Sequence, residues 1–251
     1  MSTITYFQFH VALLVPALLV LSAISSVRRR AGSSDVRPSG VVVVSVVALA
    51  YTIPWDNYLI EVGVWRYGTG AVAVRIWNAP LEEYLFILIQ PILVALWLHY
   101  LKRPPKAGSE SLSVTRRARI AGAAAGLGIG GVGLGLLARP ATLYLGAILA
   151  WAGPVLALQW GFGWPYLWRR RRTLAIGVGA PTAYLWAADW LALRYGIWEL
   201  APAYTTGWNL AGLPVEEATF FAVTNLFVVQ GLLLYAWVLD GRRRPSPTEK
   251  G

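Results

Sequence analysis

Two adjacent pairs of glutamates are the side chains of this sequence best set to do chemistry. The first pair lies in Asn78-Ala79-Pro80-Leu81-Glu82-Glu83-Tyr84-Leu85-Phe86. The second lies in Leu213-Pro214-Val215-Glu216-Glu217-Ala218-Thr219-Phe220-Phe221. Each pair follows a proline and opens a long apolar run. An aspartate precedes each pair on the apolar segment before it: Asp56 stands 26 residues ahead of Glu82, and Asp189 stands 27 ahead of Glu216. Carboxyl groups crowded into low dielectric cannot all ionise. One can then hold a proton and donate it while a neighbour accepts one. The chemistry that follows is acid–base catalysis carried by Glu82, Glu83, Glu216, Glu217, Asp56 and Asp189.

A plainer role competes. Pro80 and Pro214 suit the first turn of a helix, and glutamate beside them complements the helix dipole for about 0.3–1 kcal/mol. A single copy reads well that way. Two copies, each with its own aspartate, are harder to dismiss, because apolar helices do not carry such groups cheaply. Helix neighbours point ~100° apart, so one member of each pair faces inward and either member qualifies.

The elements that must hold these groups are membrane helices. Of 251 residues, 57% are apolar and only 14% charged, and mean hydropathy is +0.53. Seven apolar segments run at 6–27, 41–60, 81–101, 120–138, 141–160, 174–194 and 214–239. Each approaches the ~20 residues that a spanning helix needs. The first reads as a retained helix rather than a cleaved signal, since no basic residue precedes it and Arg28-Arg29-Arg30 follow. With no cysteine, disulfides, thiolate metal sites and thiol nucleophiles are excluded.

The net charge of +10 raises nucleic acid as a partner, but its distribution argues for topology instead. The loops after segments 1, 3, 5 and 7 hold 18 of the 22 Lys and Arg: Arg28–Arg30, Arg37, Lys102, Arg103, Lys106, Arg116, Arg117, Arg119, Arg169–Arg172, Arg242–Arg244 and Lys250. The opposite loops hold only Arg66, Arg75, Arg139 and Arg194. The positive-inside rule then puts the N-terminus outside and the C-terminus in the cytoplasm of a multi-pass cell-membrane protein, with no nucleic-acid partner. All six candidate carboxylates converge near the outer face. Glu61 and Glu199 fall in the outer loops.

The chain reads as an internal repeat. Tyr6 and Pro16 match Tyr144 and Pro154, Asp56 matches Asp189, and Glu82 matches Glu216, at offsets between 133 and 138. Trp77-Asn78 and Trp208-Asn209 stand ahead of the two glutamate motifs. The expected organisation is a first three-helix unit at 1–105, a basic loop and linker helix at 106–140, a second three-helix unit at 141–240 and a basic tail at 241–251. The linker helix restores the side of the membrane, so both units run in parallel. Its glycines, Gly122, Gly126 and Gly130, then Gly131 and Gly135, suit close helix packing. The fold class is all-α and polytopic, with about seven transmembrane helices.

Aromatic and amide groups could complete a site. Trp55, Trp65, Trp77, Trp186, Trp190, Trp198 and Trp208 lie toward the outer side, where an interfacial belt is their plainer role. Trp55 beside Asp56 and Trp190 beside Asp189 are the better candidates to face a developing cation. Phe86 and Phe220 stand one turn below the first glutamates, where core packing also accounts for them. Asn78 and Asn209 could orient carboxylates or cap helices. Gln90 and Asn225, two turns into their helices, need a partner. His10 and His99 lie far apart, and no metal is expected. No glycine-rich nucleotide motif follows a strand, and no cofactor is expected.

With these residues in view, the chain resembles the membrane-integral lycopene cyclases, in their fused two-domain form. The likeness covers most of residues 1–240. It rests on the doubled Pro-x-Glu-Glu motifs (Pro80, Glu82, Glu83; Pro214, Glu216, Glu217), on Asp56 and Asp189, and on the Tyr–Pro pairs of segments 1 and 5. Fungi carry the same unit joined to a phytoene synthase, and no such domain is seen here. The resemblance implies a lipophilic carotenoid substrate, lycopene, and other carotenoid-pathway enzymes as neighbours in the bilayer. It implies redox-neutral closure of an acyclic end group to a β-ring through a carbocation. The glutamates would donate and accept protons, with the aspartates tuning or relaying them. Trp55, Trp77, Trp190, Trp208, Phe86 and Phe220 would line the substrate, with Asn78, Asn209, Gln90 and Asn225 around it. Cyclisation of C50 carotenoids and proton-coupled transport are the alternatives.

Overall fold

The computed structural model describes residues 4–29, 36–101 and 113–242. Arg30, Lys102, Arg103, Lys106, Arg243, Arg244 and Lys250, which count in the charge pattern, lie outside these residues, as does most of the expected basic tail.

Seven long helices make up the described fold. Helix α1 runs Tyr6–Phe9, continues through a π-helical turn at His10–Leu14 and proceeds as Val15–Arg29. The others are α2 (Pro38–Val62), α3 (Leu81–Tyr100), α4 (Arg116–Leu136), α5 (Leu143–Arg169), α6 (Arg171–Arg194) and α7 (Val215–Arg242). All but α6 are long and apolar enough to cross a membrane. The protein is thus an all-α polytopic membrane protein.

The charge pattern differs in detail from its reading as loops. Arg116, Arg117 and Arg119 sit in the first turns of α4, which Thr115 caps by accepting a hydrogen bond from the Ala118 N–H at 3.3 Å. Arg169 ends α5, and Arg171 and Arg172 open α6, with only Arg170 between the helices. Basic side chains end apolar helices without breaking the backbone hydrogen bonds, so helix extends past the hydropathy boundary. Glu61 likewise lies in the last turn of α2, exposed, and Glu199 in a short strand, where it meets Arg66 at 3.8 Å.

Helix α4 packs along α5 through small residues. Gly122, Gly126, Gly130 and Gly133 are buried, and a Cβ at Gly126 or Gly133 would run into α5 backbone at Ala157 or Ala150. Gly131 and Gly135 face open space, so they take no part in this contact.

Three two-stranded ribbons tie the helix ends at the acidic end of the bundle. Strand β1 (Trp65–Tyr67) pairs antiparallel with β4 (Trp198–Leu200), with Arg66 opposite Glu199. Strands β2 (Arg75–Ile76) and β3 (Ala79–Pro80) form a hairpin ahead of α3. Strands β5 (Asn209–Leu210) and β6 (Leu213–Pro214) form another ahead of α7. The prolines therefore stand in these strands, just before the helices, rather than in the first turn. Pro80 is the N-cap of α3, with extended φ and ψ of −68° and 154°.

The hairpins also correct the alignment of their aromatic residues. Trp77 and Ala211 occupy matching turn positions, each with positive φ, 61° and 52°. Trp77-Asn78 thus corresponds to Ala211-Gly212, and Trp208-Asn209 stands earlier in its hairpin. A non-glycine residue in this region costs about 1–2 kcal/mol, which the ribbon hydrogen bonds must offset.

Candidate functional site

Four of the six candidate carboxylates meet in one cavity at the acidic end of the bundle. Its lining contains Asp56 of α2, Glu83 of α3, Asp189 of α6 and Glu217 of α7. Asp56, Asp189 and Glu217 are buried and Glu83 half-buried. Glu82 and Glu216 turn the other way and are also buried. Glu82 Oε1 accepts a hydrogen bond from the Ala73 N–H at 3.3 Å. Glu216 Oε1 accepts from the Thr206 N–H at 2.7 Å and the Thr206 hydroxyl at 2.8 Å. Each pair therefore divides: the first glutamate ties down the preceding loop, and the second lines the cavity. The ~100° between helix neighbours enforces that division.

Phenols aim at the two lining glutamates. The hydroxyls of Tyr6 and Tyr67 donate to Glu83 Oε2 at 3.0 and 2.9 Å. The Tyr144 hydroxyl donates to Glu217 Oε1 at 2.9 Å. The Trp198 indole N–H donates to Asp189 Oδ1 at 3.1 Å. The Trp65 indole, 133 residues earlier, donates instead to the Tyr67 hydroxyl at 3.3 Å. Asp56 Oδ2 and Asp189 Oδ2 are buried with no hydrogen-bond partner among the described residues. Tyr67 lies on the ribbon outside the helices. Burial, then the negative charge of Glu83, pushes its phenol well above the usual range, so it stays a donor.

Aromatic rings form most of the remaining wall. Trp55 stacks on Phe220 with centroids 5.8 Å apart and planes 5° apart, and Trp151 stacks behind Trp55 at 5.0 Å. Phe86 meets Phe221 edge-on at 6.0 Å, and Tyr6 meets Trp198 edge-on at 5.1 Å. Ring faces attract cations without offering a nucleophile that would trap one. The β1–β4 ribbon contributes Trp65, Tyr67 and Trp198 to this wall.

Several sequence candidates stand outside the cavity. Trp77 and Trp208 are 64% and 72% exposed on the hairpins, where surface strands leave nothing to cover them. Trp190 lies on the α6 flank away from Asp189, beside Gly212 and under the Arg194 guanidinium. Asn78 does not reach a carboxylate: its backbone and side-chain N–H groups bond Asn57, which ties the first hairpin to α2. Asn209 is exposed and bonds the Gly207 carbonyl. Gln90 and Asn225 bond each other deeper in the bundle, Nε2 to Oδ1 at 3.1 Å. Gln90 also donates to Thr224, and Asn225 donates to Thr182. This cross-helix network joins α3, α6 and α7 below the cavity floor.

Sequence reasoning passed over Tyr67, Trp151 and Phe221, and read Tyr6 and Tyr144 only as markers of a repeat. The signal for those two was present: each tyrosine opens an apolar segment at the acidic end. Trp65 and Trp198 read in the sequence as belt residues because three-residue strands carry no periodicity.

The fold and site define a polytopic helical membrane protein that gathers buried carboxylates, phenols and aromatic faces in one cavity near a bundle end. Similarity places it more closely. Over 237 residues the chain is 51% identical to a lycopene beta-cyclase of Halobacterium salinarum, covering 94% of this chain and 98% of that one. It is 35% identical over 211 residues to a bifunctional lycopene cyclase/phytoene synthase of Aspergillus niger, covering 80% of this chain and 36% of the other. The corresponding Gibberella fujikuroi protein is 33% identical over 236 residues, covering 91% and 39%. No protein-family model matches the chain. No solved structure matches it. The chain belongs to the lycopene cyclase family.

Proposed function

We propose that this protein is a lycopene beta-cyclase, an isomerase that closes the acyclic end groups of lycopene to β-rings within the membrane. One observation carries the chemistry: four carboxyl groups from four helices share a cavity walled by aromatic rings. A carboxylic acid there protonates the terminal double bond of the end group, on the carbon bearing hydrogen. The tertiary cation is attacked by the double bond within six-ring reach. A carboxylate then removes the proton from the ring carbon that joins the polyene, and the β-ring forms. One proton is gained and one lost, so no redox partner or nucleotide is called for.

The roles divide by hydrogen bonding. Glu83 and Glu217 already accept phenolic hydrogens, which suits carboxylates that take up the ring proton. Asp56 and Asp189 receive no phenol, and each holds a buried oxygen free of donors, which suits groups that carry the incoming proton. Trp55, Phe86, Phe220 and Phe221 shield the cation from water. Glu82 and Glu216 hold the loops over the cavity.

The same reading includes the topology. Helix α6 is the seventh span: it is 24 residues long, packs against α7 and α3, and delivers Asp189 to the site. Helices α1–α3 and α5–α7 form two parallel three-helix units, with α4 as the linker, the N-terminus outside and the C-terminus cytoplasmic.

Purified enzyme given lycopene in heavy water tests the chemistry. Cyclisation by protonation yields a product with one deuterium per ring, with the retention and absorption of β-carotene. Ring formation without deuterium would rule out a solvent-exchangeable carboxyl as donor. Unchanged lycopene would reject the cyclase reading and turn attention to C50 precursors, then to transport.

A further inference from the structure

The cavity itself cannot hold the substrate of the proposed reaction. Its free volume is about 50 Å³, a fifth or less of that of either crevice beside it. An end group must displace side chains to enter, and the rest of a rigid C40 chain must lie elsewhere.

Two apolar crevices between helices abut the cavity. One, of about 250 Å³, runs between α2 and α5 and shares Phe86 and Phe220 with the cavity wall. The other, of about 400 Å³, runs between α1 and α6 and shares Leu185. The first extends from Phe220 to Tyr235, roughly 22 Å along α7 at 1.5 Å per residue. Val47 on the lip of the first and Val20 on the lip of the second are 60% and 58% exposed, so both crevices open sideways toward lipid.

The crevices are counterparts. Val47 and Ala48 of the first match Ala180 and Pro181 of the second, at an offset of 133. Phe227 and Val228 match Leu93 and Val94, at an offset of 134. Each is also crossed by a tyrosine. The Tyr51 hydroxyl donates to the Trp151 carbonyl at 2.8 Å, tying α2 to α5. The Tyr184 hydroxyl donates to the Leu13 carbonyl at 2.7 Å, tying α6 to α1. Tyr184 follows Tyr51 by 133 residues and Trp151 follows Leu13 by 138, the offsets that relate the aspartates and the first tyrosines. The same bond is made twice, once in each crevice.

We propose that these two crevices are alternative docking grooves for the polyene of the substrate. Each delivers one end group to the shared cavity, and Tyr51 and Tyr184 latch the helices each chain must part. The inference rests on the cyclase reading. Its physical basis is the wall residues both grooves share with the acid cavity, their apolar lining and their matched construction. A substrate with two like ends can then be processed from either side. After one ring closes, the molecule can return end for end through either groove.

The absence of cysteine in the chain allows a test after folding. Val47→Cys and Val20→Cys place single thiols on the two lips, and Val46→Cys, 58% exposed and outside both crevices, is the control. Each purified active variant is labelled with a bulky maleimide and given lycopene. If two equal routes run in parallel, blocking either one leaves about half the rate, and labelling the double variant stops ring formation. The labelled control keeps its rate. Full activity in the doubly labelled enzyme would overturn the proposal. So would complete loss from a single label with no effect from the other, which would leave one groove as the sole route. If the unlabelled variants and the parent chain form no ring, the cyclase reading fails instead.

Discussion

Glu83 and Glu217 stand at matching positions, yet their surroundings differ by one hydroxyl. Glu83 accepts from Tyr6 and Tyr67, whereas Glu217 accepts from Tyr144 alone. The position that follows Tyr67 by 133 residues is Leu200, its mate across the ribbon being Trp65. The aspartates differ in the opposite sense. Asp189 accepts the Trp198 indole, while the matching Trp65 is turned to Tyr67 and leaves Asp56 without an indole. One substitution on a three-residue strand therefore moves donors on both sides. Matching residues can thus share a cavity without being interchangeable in it.

Removing the glutamates tests that difference most severely. Glu83→Gln and Glu217→Gln keep size and shape but remove the carboxylate. Loss of a positioned acid or base typically lowers turnover about 10²- to 10⁴-fold. Both variants are expected to lose ring formation by at least about 100-fold, read as product formed from lycopene by purified protein. If one retains activity, only one unit does the chemistry and the other is scaffold.

The phenols give a graded form of the same test. Tyr144→Phe removes the sole phenol on Glu217, while Tyr67→Phe leaves Tyr6 on Glu83. A hydrogen bond to a charged group is worth about 1.5–3 kcal/mol. The first change should lower the rate roughly tenfold or more, and the second distinctly less, because a second donor remains. Equal losses would mean that the extra hydroxyl is not what separates the units.

Six helices were legible as long apolar runs, α6 less plainly, and the helix ends were not, because arginines extend helices past the hydropathy boundary. The six carboxylates were legible by type and spacing. Which of them reach the cavity was not: Glu82 and Glu83 differ only in helix phase, and phase acquires meaning when α3 packs beside α2. Tyr67 carries no mark in the sequence, and Trp198 reads there as a belt residue, for another reason. Their strands are three residues long, and the cross-chain pairing that brings them over the site is non-local. Gln90 and Asn225 illustrate a third case, where the need for partners was evident but the partner, each other, required the packed bundle.

Packing of α4 gives a third comparison, between glycines of one helix. Gly126→Ala drives a Cβ into the backbone of α5 at Ala157, while Gly131→Ala meets open space. Overpacking costs about 1–3 kcal/mol. Gly126→Ala should lower the unfolding temperature in detergent by several degrees, and Gly131→Ala should leave it unchanged or slightly raised, since alanine favours helix. Equal shifts would separate α4 from α5 in the membrane.

The smallest effects belong to Glu82 and Glu216, and they bear most directly on how each pair is divided. Both are buried, and each keeps an Oε2 without a partner among the described residues. Each Oε1 accepts from a loop. Glutamine retains that acceptor, so Glu82→Gln and Glu216→Gln keep the tether and remove only charge. Ring formation should stay within about threefold of the parent, against the 100-fold loss at the adjacent positions. The two should differ in stability. Thr206 holds Glu216 with two short bonds, whereas Ala73 holds Glu82 with one long one. Thr206→Val, which removes the hydroxyl and keeps the backbone donor, should therefore lower stability by about 1 kcal/mol with little effect on rate. A loss at Glu82 or Glu216 as large as that at Glu83 or Glu217 would put both members of a pair into proton transfer and erase the distinction drawn from helix phase.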